Sequence, residues 1–157
     1  MSVTIGQQAP LFVLNDTDKN KVSLEECRGV DVVLLFFPLA FTGVCTQELC
    51  AVRDDLSFYN NLEAKVFAIS VDSIFALEKF KAEQNLNFTL LSDFNRETAS
   101  AYGALYDEFV LGMKGVAKRA AFVIDKNGAV RYAEVLEDAG QIPDFNAIKE
   151  ILAAVPG

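Results

Sequence analysis

The residues of this chain best suited to chemistry are Cys45 and Cys50, which lie in the run Phe36-Phe37-Pro38-Leu39-Ala40-Phe41-Thr42-Gly43-Val44-Cys45-Thr46-Gln47-Glu48-Leu49-Cys50. A third cysteine, Cys27, stands in Glu25-Glu26-Cys27-Arg28. A cysteine attacks through its thiolate, and a thiolate needs positive potential nearby. The chain has no histidine at all. A Cys–His pair and a Ser–His–Asp arrangement are therefore excluded, and a metal site would lack its commonest ligand. Whatever activates Cys45 must be a helix end, an arginine or a lysine. An odd, sparse set of three cysteines does not read as a secreted disulfide framework, so its interest is redox or catalytic.

The neighbouring residues put Cys45 at the start of a helix. Residues 32–37 are six consecutive apolar side chains, rich in β-branched and aromatic types, which predicts a strand buried on both faces of a sheet. Pro38 has no N–H to donate and ends the ladder. Thr42 is read as the N-cap of a helix running to about Tyr59, with Cys45 near its third position. The unpaired amides and the positive dipole end found there favour thiolate over thiol. Leu49, Val52, Leu56 and Tyr59 recur at spacings of three and four, as a sheet-facing helix requires. In isolation each part has an ordinary explanation, since buried cysteines are mostly inert and a threonine before a helix is usually a cap alone.

The flanking elements form a consistent order. Residues 11–14 and 21–24 flank a turn-rich segment and predict a hairpin, and Ser23 is read as the cap of a short helical turn that stops at Gly29. A second apolar strand covers 65–71, Ser73 caps a helix to about Asn85, a third strand covers 88–91, and a short helix over 97–102 ends at Gly103. Residues 120–125 and 129–136 are joined through Lys126-Asn127-Gly128, a strong hairpin signal. A last amphipathic helix over 144–154 puts Phe145, Ile148, Ile151 and Leu152 on one face. This order predicts an α/β fold: a thioredoxin-like three-layer sandwich with a mixed central sheet and an N-terminal β-hairpin addition.

Composition bounds the rest. With 157 residues and 52% hydrophobic content, one domain over 1–157 is expected. A net charge of −8 argues against nucleic acid or an anionic membrane as partner. The longest apolar run, residues 32–41, is interrupted by Pro38 and falls short of the roughly 20 residues that cross a bilayer. The polar, mixed start does not read as a secretory signal, so a cytoplasmic location is expected.

At Pro38, Thr42 and Cys45 the chain resembles a peroxiredoxin, whose motif is proline, three residues, threonine or serine, two residues, cysteine. The run Phe-Phe-Pro-Leu-Ala-Phe-Thr-Gly-Val-Cys resembles the AhpE type of that family. The Cys45/Cys50 spacing resembles the bacterioferritin-comigratory-protein type. The likeness extends to Leu90-Leu91-Ser92-Asp93, Ala101-Tyr102-Gly103 and Arg119-Ala120-Ala121-Phe122-Val123-Ile124-Asp125. It implies a thiol peroxidase for hydrogen peroxide and small organic hydroperoxides, with antioxidant duty and neither cofactor nor metal. Its reductant would be thioredoxin, a glutaredoxin-like protein or a low-molecular-weight thiol, and its assembly a homodimer.

The resemblance also implies roles. Cys45 is the peroxidatic nucleophile, Thr42 and Pro38 stand beside it, and Arg119 reaches in from a distant strand. A thiolate displacing an alkoxide needs a cation and hydrogen-bond donors on the stretching O–O bond, and an arginine and a threonine hydroxyl have those properties. Pro38 is expected to shield the sulfur. Glu48 has two readings, one that it orients Arg119 and one that it is a first-turn acid complementing the dipole. Arg53 and Arg96 read as surface charges, and Cys27 as a partly buried bystander.

Cys50 also keeps two readings. It resolves a Cys45 sulfenic acid as a disulfide, or it is buried against the sheet while an external thiol does so. Five residues on an intact helix rise about 7.5 Å and turn about 140°, separating the Cα atoms by roughly 8.6 Å. Disulfides need roughly 4.4–6.8 Å, so the first reading requires the helix to unwind. Three rival functions are weaker. A thiol-disulfide oxidoreductase would normally have two residues between its cysteines rather than the four here. A redox-sensing binding protein would use Cys45 without turnover. A metal site would have a poor ligand set.

Overall fold

An apolar run without polar interruption is satisfied only by burial on both faces. Val32, Val33, Leu34, Leu35 and Phe36 reach that state in the computed structural model, which describes residues 3–154; none is more than 1% exposed. In chain order the elements are β1 (Val13–Asp16), β2 (Lys21–Ser23), a 3-10 turn (Glu25–Cys27), β3 (Val32–Phe36), α1 (Gly43–Asp54), α2 (Leu56–Asn61) and β4 (Lys65–Ser70). They continue as α3 (Ile74–Glu83), β5 (Thr89–Ser92), α4 (Glu97–Ala101), a second 3-10 turn (Val110–Gly112), β6 (Arg119–Ile124), β7 (Val130–Leu136) and α5 (Phe145–Ala154).

The strands form one sheet in the order β2-β1-β5-β4-β3-β6-β7. The β3–β4 and β4–β5 pairs are parallel, while β6 pairs antiparallel with both β3 and β7. The N-terminal hairpin extends the sheet antiparallel to β5. This is the thioredoxin-like mixed sheet with its hairpin addition. Two successive parallel crossovers leave α1 and α3 on one face, where Leu49, Val52, Leu77 and Phe80 share a core with Ile148 and Leu152 of α5. On the other face Ala99 and Tyr102 pack with Phe12, Leu24 and Phe122.

Local chemistry explains several boundaries. Ser73 accepts from the Ala76 amide at 3.2 Å and caps α3, and Asp144 accepts from the Ala147 amide at 3.0 Å before α5. Ser23, expected to cap the first 3-10 turn, does not; Leu24 precedes that turn with no side-chain cap. The helix expected to reach Tyr59 in one piece is two, broken at Asp55, where φ is −118°. The Asp55 carboxylate is paired with Lys149 of α5. β1 runs two residues beyond its expected end because Asn15 and Asp16 pair with Ser92 and Leu91. Between β6 and β7 the left-handed position is taken by Gly128, with φ of +83°, and the Asp125 carboxylate receives the Asn127 and Ala129 amides.

Candidate active site

The site forms where β3 runs out of ladder partners. The Phe37 amide still reaches the Ile69 carbonyl at 3.0 Å, after which Pro38 has nothing to donate. The loop that follows is held from the next strand: the Ala40 amide donates to the Asp72 carboxylate at 2.8 Å, and Ser70 Oγ donates to the same oxygen at 2.6 Å. Phe41 turns the chain in a left-handed conformation, φ +67°, an uncommon state for a bulky residue. Its ring meets Phe80 edge-on at 5.1 Å between centroids. Asp72 was not picked out from the sequence, because nothing local marks a carboxylate whose partner is 32 residues away.

Thr42 occupies the N-cap position of α1 but does not cap it with its side chain. Its hydroxyl donates instead to the Leu39 carbonyl at 2.8 Å. The Thr42 lone pairs are thus free to accept, while donation to a substrate requires release of Leu39. Cys45 is the third residue of α1 and is 1% exposed. At such a position the first amides of the helix have no intrahelical acceptor.

The strand register delivers the cation. Ala120 pairs with Phe36, so Arg119 lies one residue further on, over the end of β3 where α1 begins. Its guanidinium is 2% exposed. Nη2 lies 3.2 Å from Cys45 Sγ, and Nη1 donates to Glu48 Oε1 at 2.6 Å. Nε and Nη2 donate to the Ala139 carbonyl at 3.1 and 3.0 Å. Ala139 belongs to the loop after β7, which is closed by the Gly140 amide donating to Asp138 Oδ1 at 2.8 Å. Ala139 carried no sequence signal, because it acts through a backbone carbonyl, which has no residue type.

Glu48 sits one helical turn beyond Cys45, fully buried. Its Oε2 has no hydrogen-bond partner among the described residues. Burial pushes its carboxyl up to about 7, against the pull of Arg119. For Arg119, burial works against the charge, but Glu48 and Cys45 outweigh it and hold the guanidinium above its ordinary value. Glu48 is therefore a partner of Arg119 as well as an acid near a helix start.

Cys50 does not join this cluster. It is half-buried in the intact part of α1, with Sγ 3.6 Å from Gln84 Oε1. Arg53 Nη1 donates to the Gln84 carbonyl at 2.6 Å, so the expected surface charge ties α1 to the segment after α3. Arg96, also expected at the surface, donates to the Gly115 and Phe94 carbonyls at 2.7 and 3.2 Å. All three cysteines are free thiols. Cys27 is buried, its thiol is pushed up by that burial, and it donates to the Ser23 carbonyl at 3.5 Å.

Pro38, Thr42, Cys45 and Arg119 open onto one cleft of about 720 Å³, walled by Tyr106, Phe109, Val110, Leu111 and Met113. A larger groove of about 900 Å³ between β1, α3 and α4 is lined by no cysteine, arginine or lysine. The chemistry belongs to the smaller one. A thiol under a helix N-terminus, with a buried guanidinium in contact, is arranged to attack an electrophile and hold negative charge on the group that leaves.

Comparison with known proteins agrees with that chemistry. The family model described as the AhpC/TSA family matches residues 5–133. Alkyl hydroperoxide reductase E of Mycobacterium tuberculosis is 35% identical over 156 residues, covering 98% of each chain. The peroxiredoxin bcp of Coxiella burnetii is 38% identical over 132 residues, covering 83% of this chain and 87% of its own. The crystal structure of the peroxidoxin BcpB of M. tuberculosis superposes with a TM-score of 0.86 at 27% identity, covering 99% of both chains. With a cysteine–arginine pair at the helix start and likeness of this extent on each side, the chain belongs to the AhpC/TSA family, as a thiol peroxidase of the AhpE/BCP peroxiredoxin type.

Proposed function

We propose that Cys45 is the peroxidatic nucleophile for hydrogen peroxide and small organic hydroperoxides. The observation that carries this is the 3.2 Å contact between Arg119 Nη2 and Cys45 Sγ at the third position of α1. The thiolate attacks one peroxide oxygen, the S–O bond forms as the O–O bond breaks, and the leaving alkoxide or hydroxide takes a proton. Water or an alcohol departs, and Cys45 is left as a sulfenic acid. Arg119 holds the thiolate and then the developing charge on oxygen. Thr42, once it releases Leu39, donates to one oxygen and accepts from the other. The buried Pro38 keeps bulk water from the sulfur. The apolar residues of the cleft wall suit a hydrocarbon substituent on the peroxide.

Cys50 is proposed to resolve the sulfenic acid. Its thiolate attacks the Cys45 sulfur, water leaves, and a dithiol or two monothiols later reduce the disulfide. This requires α1 to unwind between the two cysteines. The reductant is thioredoxin, a glutaredoxin-like protein or a low-molecular-weight thiol. A homodimer in the cytoplasm completes the reading, supported by the exposure of Phe41, Phe75 and Phe94 at 50, 69 and 60%.

The test is the rate of Cys45 oxidation by a stoichiometric amount of peroxide. Arg119→Ala is expected to slow it by about 10²- to 10³-fold, the usual loss when a principal oxyanion donor is removed. If Cys45 reacts no faster than Cys27, the assignment is wrong. Turnover with each reductant in the wild type and in Cys50→Ser identifies the donor and the resolving thiol together.

A further inference from the structure

The wall of the cleft opposite Thr42 is a strap, residues 105–117, closed at its base by the Leu105–Ala117 bridge and by the Tyr106 amide donating to the Val116 carbonyl at 2.9 Å. Its tip is apolar and unpartnered, with Val110, Leu111 and Met113 exposed by 57, 95 and 36%. Leu111 is also left-handed, φ +59°. Among the described residues, no hydrogen bond or ion pair leads from 107–114 to anything outside the strap. What holds it from outside is therefore confined to its two ends. On the Tyr106 arm the phenol donates to the Glu137 carbonyl at 2.9 Å. On the other arm Arg96 lies across Gly115.

The Arg96 contact is built from both sides. Arg96 is left-handed, φ +68°, at the start of α4, a state few non-glycine residues adopt. Gly115 has φ +77°, and a Cβ there would stand 2.5 Å from Arg96 Nε. Only a glycine lets the guanidinium stem pass, and the carbonyl it exposes takes Nε at 2.7 Å. Nη1 meanwhile holds the Phe94 carbonyl, so the strap is fastened to the α4 face of the sheet.

We propose that Arg96 is a selectivity-determining positioning residue, which acts on the peroxidase reaction by fixing the strap against which a hydroperoxide's apolar substituent lies. Arg96 touches neither the sulfur nor Arg119. The –OOH group needs only Cys45, Arg119 and Thr42, so hydrogen peroxide is indifferent to the strap. A hydrocarbon substituent has Phe109, Val110, Leu111 and Met113 as its wall and loses that surface when the strap drifts. The inference rests on the peroxidase reading of Cys45.

The experiment measures second-order rates of Cys45 oxidation by hydrogen peroxide and by cumene hydroperoxide. It compares the wild type with Arg96→Met, Arg96→Lys and Gly115→Ala. In Arg96→Met and Gly115→Ala the ratio of cumene hydroperoxide rate to hydrogen peroxide rate is expected to fall about five- to tenfold, with the hydrogen peroxide rate unchanged within about twofold. Arg96→Lys, which keeps one donor for Gly115, recovers part of the ratio. Equal slowing of both substrates, or an unchanged ratio in Arg96→Met, overturns the proposal, whatever Gly115→Ala does to folding. A wild type whose Cys45 reacts with neither peroxide sinks the peroxidase reading and this inference with it.

Discussion

Four hydrogen bonds leave the Arg119 guanidinium for three acceptors: a sulfur, a carboxylate and a backbone carbonyl. Its planar fork suits that division, and a lysine ammonium could not reproduce it. Glu48 is the acceptor whose charge can vary near neutrality. Burial raises its carboxyl from an ordinary 4.5 to about 7, so between those values the folded protein holds a proton that the unfolded chain has lost. Stability therefore falls as pH rises through that window. Glu48→Gln keeps an acceptor for Arg119 and has nothing to titrate. The stability difference between wild type and variant should change by on the order of 3 kcal/mol across the window, at about 1.4 kcal/mol per pKa unit. Denaturant curves at several pH values would measure it, and curves that stay parallel would remove Glu48 as a titrating group.

At the scale of the element, the proposed resolution by Cys50 gives α1 two duties that oppose each other. Its first turn must stay wound to hold Cys45 under the amides, and it must unwind for Cys50 to arrive. Gln84 favours the wound state, with its side chain on the Cys50 thiol and its carbonyl on Arg53. Removing one such neutral hydrogen bond is worth about 1 kcal/mol. Gln84→Ala should therefore speed formation of the Cys45–Cys50 disulfide by about two- to fivefold, without altering the first oxidation of Cys45. Stopped-flow mixing of the sulfenic acid form would show it, and an unchanged rate would discard the latch.

The same helix shows what could be read in advance. The strand before it, the start at Gly43, the buried positions Leu49 and Val52 and the cap at Ser73 follow from periodicity and capping types within a dozen residues. The break at Asp55, the hydroxyl of Thr42 turned to Leu39 and the carbonyl anchors of Arg53 and Arg96 do not. The break at Asp55 and the anchors of Arg53 on Gln84 and Arg96 on Gly115 involve partners that only the fold brings near, and the Thr42 bond depends on the loop's backbone conformation, so residue types in the local pattern carry no trace of them. Arg119 was legible only because a family pattern supplied the long-range pairing.

Across the whole molecule, the face of the sheet opposite α1 carries a second core that contains none of Pro38, Thr42, Cys45 and Arg119. Tyr102 lies in that core, fully buried, its hydroxyl donating to the Pro10 carbonyl at 2.7 Å and fastening the N-terminal segment to the end of α4. Tyr102→Phe keeps the ring contacts with Phe36 and Phe122 and strands the carbonyl. It is expected to cost about 1–2 kcal/mol of stability, read by thermal or urea unfolding, with the rate of Cys45 oxidation unchanged. A matching fall in that rate would mean that the two faces are coupled.

Cys45 at 1% exposure sets an order of visitors. A peroxide is small enough to reach a sulfur seated that deeply; another protein's thiol is not. While the helix is wound, the nucleophile is insulated from macromolecular thiols and open to small oxidants. On the proposed resolution by Cys50, unwinding around a disulfide would offer the same sulfur outward to a protein reductant. On that reading the two substrates would not compete for one pocket, because each would meet the cysteine at a different time, with the helix turn as a turnstile between them.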